Sequence, residues 1–182
     1  AISESRKRIE YQEKIEASTL ITGIPQRVFL NNNLKVYNSA IFLRPDGFYD
    51  TYQKIFLVPF AEYVPFFKNW LSKMNQFDDM GSFTPGESYK TFDIGDIRSS
   101  ILICYDSSSY KIAKKMVDNG AEIIFVITND SYVGQSMPYQ HFEHAKLRSI
   151  ELGIPFVQSA NNGISGVILP SGEVLIKSDI DE

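Results

Sequence analysis

Apolar and polar positions in the second half of the chain alternate between two kinds of pattern. Residues 101–103 form a continuous apolar run, which is typical of a strand covered on both faces. Residues 109–119 instead repeat at helical spacing, with Ser109 as a candidate N-cap and Gly120 as a stop. Strands are predicted at 99–104, 122–128, 155–160, 166–169 and 173–177, and helices at 109–119 and 138–152. This order predicts an α/β fold of layered sheets with helices outside.

The first half of the chain is less regular. A charged amphipathic helix over 3–18 is predicted first, and a short strand then ends near Pro25, because proline supplies no backbone N–H to a sheet. Residues 60–86 are rich in aromatic side chains and proline, and connections of this length are usually functional lids or arms. Further strands are predicted at 19–24, 37–43, 47–54 and 89–94.

Composition narrows the possible classes of protein. Hydrophobic residues make up 43% of the 182 residues and charged residues 22%, so a packed core is expected and one domain over 1–182 is predicted. The net charge of −4, without a basic stripe, argues against a nucleic-acid partner. No apolar run approaches the roughly 20 residues that a membrane-spanning helix requires.

The only cysteine, Cys104, lies at the carboxyl end of a predicted buried strand. Open α/β sheets bind their ligands at that edge, and the helix that follows favours a thiolate through its dipole. A buried structural cysteine is equally compatible with this position. Position alone therefore leaves open whether Cys104 is a nucleophile.

Two charged residues, Lys54 and Glu62, bracket an apolar run that should be largely buried. Lys54 could lower the pKa of a nearby thiol and stabilise an oxyanion, or the two residues could form only a structural salt bridge.

His141 and His144 lie three residues apart on a predicted helix, without a third ligand or a metalloprotease motif. We expect these histidines to serve packing or support, and we expect no metal and no cofactor.

Five motifs occur in order from about residue 22 to residue 177. They are Lys54 to Val64 (Lys-x-x-Leu-Val-Pro-Phe-x-Glu), Ile-Cys-Tyr-Asp at 103–106, Asn-Asp-Ser-Tyr-Val-Gly at 129–134, Gln-His-Phe at 140–142 with Arg-Ser-Ile-Glu at 148–151, and Ser-Ala-Asn-Asn-Gly at 159–163. Together they resemble the apolipoprotein N-acyltransferases of the nitrilase (carbon-nitrogen hydrolase) superfamily. The resemblance implies a four-layer α-β-β-α sandwich, here incomplete at its N-terminus.

The resemblance also implies roles for individual residues. Cys104 corresponds to the nucleophile, Lys54 to the lysine of a Glu-Lys-Cys triad, and Glu62 to a carboxylate that orders Lys54. The backbone N–H of Tyr105 would share the oxyanion with Lys54. Tyr105, Asp106 and Tyr132 are expected at the substrate, although Asp106 stands where the family has Glu, and Tyr132 with Val133 replaces a Trp-Phe pair near the acyl chain.

The triad glutamate has no match in this chain. In the family it precedes a helix like the one predicted at 3–18, while this chain opens on Ala1 without an initiating Met or a signal peptide. We therefore expect a piece truncated at both ends that is inactive alone.

The function implied by the resemblance is ping-pong acyl transfer. A phospholipid would acylate Cys104, and the thioester would pass its acyl chain to the diacylglyceryl-cysteine of an apolipoprotein, at the periplasmic face of a bacterial inner membrane. An aromatic segment would form either a lid packed on the domain or an arm at the membrane interface. Its residues are Phe60, Tyr63, Phe66, Phe67, Trp70 and Leu71. Two alternatives stay open: a soluble carbon–nitrogen hydrolase (amidase) of a small substrate, and a non-catalytic binding piece.

Overall fold

The structure is a computed structural model that describes residues 18–30, 32–63, 83–131, 134 and 136–180. The helix expected over 3–18 falls almost wholly outside these ranges, as does most of the aromatic segment beyond Tyr63. Two sheets and two α-helices are built from the described residues.

A three-stranded antiparallel sheet comes first, with β1 (Leu20–Leu30), β2 (Asn33–Leu43) and β3 (Tyr49–Gln53) in that spatial order. Strand β1 runs six residues past the end expected at Ile24. Pro25 is tolerated inside it because β1 lies at the edge of this sheet, where a missing N–H breaks no second ladder. The expected end of the strand at Pro25 was therefore wrong.

The second sheet has six strands in sequential order. Strands β5 (Ile97–Ile103), β6 (Ile123–Asn129) and β7 (Phe156–Asn161) are parallel, while β4 (Phe92–Ile94), β8 (Gly166–Ile168) and β9 (Val174–Lys177) extend the sheet in antiparallel fashion. Helix α1 (Tyr110–Asp118) connects β5 to β6, and helix α2 (Met137–Leu152) connects β6 to β7. Gly153 ends α2 with a φ of 68°, as its glycine predicted.

The hydrophobic core joins the two sheets and the helices. Phe42 of β2 stacks on Phe92 of β4, with ring centroids 5.0 Å apart. Residues 101–103 of β5 are all buried, as expected for a strand with both faces covered. The same core takes in Ile112 and Met116 of α1, which pack against the sheet.

The parallel strands end together at one edge. Ile103 pairs with Ile127, and Asn129 pairs with Asn161, so the residues that follow β5, β6 and β7 lie side by side. Cys104 directly follows β5 and Asp130 directly follows β6. This edge is where open α/β sheets bind their ligands. Within the described ranges, no helix is both long and apolar enough to cross a bilayer.

Candidate functional site

Cys104 begins a tight turn that the sequence patterns did not predict. Residues Cys104–Ser108 form a 3₁₀ helix directly after β5, and Cys104 has a φ of 49°, in the left-handed region that favours glycine. The Ser107 hydroxyl donates to the Cys104 carbonyl at 2.9 Å. The free thiol is thus held at a sharp reversal between strand and helix, partly exposed.

Asp106 anchors this turn from inside the protein. Its carboxylate is fully buried and accepts hydrogen bonds from the Tyr52 hydroxyl at 2.9 Å and from the backbone N–H groups of Phe56 at 2.7 Å and Ile103 at 3.2 Å. Burial raises the pKa of Asp106 to about 6, although these donors and the charge of Lys54 act to lower it. Asp106 therefore holds the backbone at Ile103 and Phe56, and the substrate contact expected of it stays a prediction.

Lys54 follows β3 and is the most deeply buried cation of the described site, with 1% of its side chain exposed. Its Nζ lies 2.6 Å from Oε2 of Glu62, whose side chain is 12% exposed. Glu62 also accepts hydrogen bonds from Asn38 Nδ2 at 2.6 Å and from the backbone N–H of Val58 at 2.7 Å. The structure thus brings Lys54 and Glu62 together as the sequence expected, and Glu62 fixes the ammonium through a fully hydrogen-bonded carboxylate.

The backbone of Lys54 is fixed as firmly as its side chain. Its N–H donates to the Asn38 carbonyl at 2.8 Å, and its own carbonyl accepts from the N–H of Gly86 at 2.8 Å. A Cβ on Gly86 would overlap the Gln53 carbonyl oxygen, so glycine is required for this approach. Lys54 is therefore preorganised by three neighbouring segments.

Tyr105 and Phe56 form an aromatic surface beside the nucleophile. Their rings stack with centroids 5.1 Å apart, and Phe56 remains 42% exposed. A partly exposed aromatic pair next to a thiol offers an apolar substrate a contact surface. Tyr132, the third residue expected at the substrate, lies outside the described residues.

His141 of α2 contacts the same thiol. Its Nε2 lies 3.9 Å from Cys104 Sγ, and its Nδ1 lies 2.7 Å from Oδ1 of Asp130. The sequence placed His141 among packing residues and did not single out Asp130. The order of the strands could have indicated Asp130, because Asp130 and Cys104 directly follow neighbouring parallel strands and so lie at the same edge of the sheet.

The charges around the thiol change its acidity. Burial raises the pKa of the Cys104 thiol, but the His141 hydrogen bond and the charge of Lys54 outweigh burial and bring the pKa below its ordinary value. Burial also acts to lower the pKa of His141, yet the hydrogen bonds to Asp130 and Cys104 raise it to about 9. Both directions favour a thiolate beside an imidazolium.

The same three residues are the set within the described ranges whose atoms could hold a metal ion. Ligand atoms of Cys104, Asp130 and His141 all lie within 4.8 Å of one another. This set does not include His144, so it is not the histidine pair that the sequence analysis considered as metal ligands. Lys54, whose charge acts on Cys104, and the hydrogen bond between Nδ1 and Asp130 both disfavour a cation there.

Comparison with protein families matches residues 3–182 to the carbon-nitrogen hydrolase model. Among curated proteins, the chain is 38% identical to apolipoprotein N-acyltransferase 2 of Treponema denticola, over 78% of this chain and 29% of the relative. It is 34% identical to the apolipoprotein N-acyltransferase of Geobacter metallireducens, over 85% of this chain and 30% of the relative. The chain thus spans about three tenths of the length of these relatives.

Among solved structures, an amidase from Nesterenkonia sp. superposes with a TM-score of 0.71 at 19% identity, over 97% of this chain and 64% of that chain. At this level of identity the likeness concerns the fold. It confirms the predicted α/β, nitrilase-like fold class.

Proposed function

The chain belongs to the carbon-nitrogen hydrolase family, and from this premise we propose that it carries the nucleophile of an acyl transfer from a phospholipid to an apolipoprotein. One observation carries the proposal. The free thiol of Cys104 stands at the carboxyl edge of the parallel strands, and the charge of the buried Lys54 acts on it. The names of the relatives, apolipoprotein N-acyltransferases, supply the substrate class.

In the first half of the proposed reaction, the Cys104 thiolate attacks the ester carbonyl of the phospholipid. A bond forms between Sγ and the carbonyl carbon, and the carbon–oxygen bond of the ester breaks. The lysophospholipid leaves as an alcohol, because its oxygen takes up the proton that the thiol had given to a general base. In the second half, the amino group of the diacylglyceryl-cysteine attacks the thioester and the carbon–sulfur bond breaks. An amide is formed, and the proton that the amine loses restores the thiol of Cys104. Covalent catalysis of this kind divides one difficult step into two easier ones.

Lys54 stabilises the negative charge that develops on the carbonyl oxygen in both halves, together with the backbone N–H of Tyr105. Such groups are effective when they are fixed before the reaction, since no reorganisation is then required. The hydrogen bonds of Glu62 supply that fixation for Lys54. Glu62 thus contributes to the reaction indirectly, because it holds Lys54 in position.

The apolar surface of Phe56 and Tyr105 supports an acyl substrate. The exposed face of this pair lies next to the nucleophile, where the first carbons of an acyl chain would run. Tyr132 is proposed to extend this surface. We further propose that the site works at the interface of a bacterial inner membrane, on its periplasmic face, because phospholipid and lipoprotein meet there.

Intact-protein mass spectrometry tests the proposal. The complete gene product is incubated with a phospholipid of one defined acyl chain, and the expected product is a single acyl adduct on Cys104 that disappears when a diacylglyceryl-cysteine peptide is added, with the amide appearing on the peptide. Cys104→Ala should form no adduct. A Cys104→Ala protein that still acylates the peptide would falsify the proposal.

Two matched lysine variants test the role of Lys54. Lys54→Met should slow adduct formation by roughly a hundredfold or more, in the range found when one oxyanion group is removed. Lys90→Met, which removes the half-exposed partner of Asp50, should leave the rate unchanged. If free fatty acid is released while the peptide gains no acyl group, the protein is a hydrolase and the transfer proposal is wrong.

A further inference from the structure

The hairpin formed by β1 and β2 extends past the edge of the sheet at which Cys104 lies. Phe42 of β2 stacks on Phe92 of β4, the strand that pairs with the first residues of β5. Nearer the tip of the hairpin, the Asn38 carbonyl accepts from the N–H of Lys54, whose charge acts on Cys104. The path from Phe42 to Asn38 therefore follows β5 toward its carboxyl end, and the tip of the hairpin lies beyond that end.

The tip and the site share one face of the three-stranded sheet. Phe29 lies directly opposite Leu34 in the antiparallel register, so the two side chains are on the same face. Leu34 and Asn38 are four residues apart on β2 and therefore also share that face, on which Asn38 donates to Glu62. At a rise of about 3.4 Å per residue, Leu34 lies about 14 Å from Asn38. Because β3 pairs with β2 only from Ser39 onward, the tip projects beyond β3 on the side of the molecule that carries the site.

The side chains at this tip are apolar and positively charged. Phe29 is 76% exposed, Leu34 51% and Leu30 44%. Arg27 and Lys35 flank them, and neither strand contains Asp or Glu, although the whole chain carries a net charge of −4. No acidic side chain within the described ranges forms an ion pair with Arg27 or Lys35. The tip therefore combines exposed apolar area with a local excess of positive charge.

These properties fit a phospholipid surface better than a protein partner. A stable protein interface buries about 800 Å² on each partner, and three side chains at the end of a two-stranded ribbon offer far less. A bilayer, in contrast, takes up single apolar side chains among its headgroups, and its anionic lipids attract Lys and Arg. Because both strands lack acidic residues, nothing in the hairpin opposes that attraction.

We propose that the tip of the β1–β2 hairpin docks on an anionic phospholipid surface. The apolar side chains of Phe29 and Leu34 enter the headgroup region, and Arg27 and Lys35 contact lipid phosphates. Docking turns the carboxyl edge of the parallel strands toward the lipid. The contact itself requires no chemistry, whereas its use in bringing a phospholipid ester to Cys104 rests on the proposed function.

Fluorescent labels on single cysteines test the docking. The complete gene product, with Cys104 and any further cysteine replaced by alanine, receives an environment-sensitive label (NBD) at Phe29→Cys. It is then reconstituted with vesicles of phosphatidylcholine and phosphatidylglycerol that carry brominated acyl chains. Bromine quenches a label that enters the bilayer, so the emission at position 29 should fall and shift to shorter wavelength. Leu34→Cys, on the same face, should respond alike, which keeps the test decisive if one variant folds poorly.

Phe48→Cys is the matched control for the label. Phe48 is likewise an exposed aromatic residue of this sheet, at 51%, but it lies in the turn between β2 and β3. That turn is at the end of β2 opposite to the tip, so the membrane proposed here does not reach it. A label at position 48 should therefore keep its emission in brominated vesicles.

Two double variants test the role of charge. Arg27→Ser with Lys35→Ser removes both positive charges of the tip. The ratio of docked to free label, read from the two fluorescence lifetimes, should then fall roughly thirtyfold, the combined contribution of two basic residues near an anionic surface. Vesicles of phosphatidylcholine alone should lower the ratio to a similar extent. Lys115→Ser with Lys177→Ser removes two exposed lysines outside the hairpin and should leave the ratio unchanged.

Four results would overturn the proposal. One is a label at position 29 that keeps its full emission in brominated vesicles. Another is equal quenching at positions 29 and 48. The third is docking that is unchanged on phosphatidylcholine alone and after loss of both charges. The last is energy transfer between tip labels of different copies without quenching by bromine, which would make a second copy of the chain the partner.

The docking and the proposed function fail in different ways. The labelled protein lacks Cys104, so the docking assay needs no acyl transfer. If the wild-type protein forms its acyl adduct while the tip label stays in water, only the docking is rejected. If the label docks while the wild-type protein forms no adduct, only the proposed function is rejected.

Discussion

Removal of the negative charge of Glu62 should lower the free energy of unfolding by an amount that can be worked out from the structure. Glu62→Gln keeps the shape of the side chain and one acceptor oxygen, but it leaves the Lys54 ammonium, 1% exposed, without its countercharge. Loss of one partner of a buried ion pair costs about 3–5 kcal/mol, because the remaining charge stays desolvated. We therefore expect a large fall in the free energy of unfolding at neutral pH.

The matched control is Asp50→Asn. The Asp50–Lys90 pair has a similar separation of 2.5 Å, but its side chains are 38% and 35% exposed. Exposed pairs contribute about 0.2–1 kcal/mol, since water screens them. With a urea dependence of about 2 kcal/mol per M, the unfolding midpoint should fall by about 1.5–2.5 M in Glu62→Gln and by at most about 0.5 M in Asp50→Asn.

Urea unfolding followed by circular dichroism measures both midpoints. A second comparison uses Lys54→Met with Glu62→Gln, in which the stranded charge is also removed. This double variant should recover most of the loss, as apolar replacements of buried pairs usually do. Equal midpoint shifts in the two single variants, or no recovery in the double variant, would refute the view that Glu62 exists to hold a buried ammonium.

Three further predictions concern neighbouring residues. The pKa of Asp106, raised to about 6, means that the native state binds its proton more tightly than the unfolded chain, so ionisation of Asp106 costs stability as pH rises from about 4 to about 6. Asp106→Asn loses acceptors at every pH, but the difference in unfolding free energy from wild type should move by about 3 kcal/mol in favour of the variant across that range in urea unfolding. Gly163→Ala should slow alkylation of Cys104 at neutral pH, because its Cβ must displace Asp130, whereas Gly23→Ala, which meets only ordinary contacts, should not. Arg148→Ala should lower the unfolding free energy by about 1.5–3 kcal/mol, since its buried guanidinium donates to a carbonyl of the 3₁₀ turn, and an unchanged urea midpoint would contradict this.

A strand or a helix end could be predicted from the sequence wherever a local pattern alone determines it. The buried run 101–103 predicted β5, and Gly153 predicted the end of α2. The 3₁₀ turn after Cys104 was missed because it depends on tertiary contacts, the hydrogen bonds of Asp106 to Tyr52 and Phe56. About fifty residues separate the donors from the acceptor, and no sequence periodicity reports such a bond.

The residues of the site likewise include some that local sequence could predict and some that it could not. Lys54 and Glu62 were predicted as a pair because two charges eight residues apart in an apolar run have few other partners, and the structure joins them. His141 was assigned to packing because its spacing to His144 invited only a metal interpretation. Its partner Asp130 lies eleven residues earlier, in a different element, so that only the parallel order of β5 and β6 brings both to Cys104.

The left-handed backbone at Cys104 has a consequence for stability. A residue with a Cβ at this φ of 49° loses about 1–2 kcal/mol relative to glycine. Cys104→Gly should therefore resist urea better than Cys104→Ala, although neither has a nucleophile. The cysteine side chain is therefore held at the end of β5 at a cost in stability that a glycine would avoid.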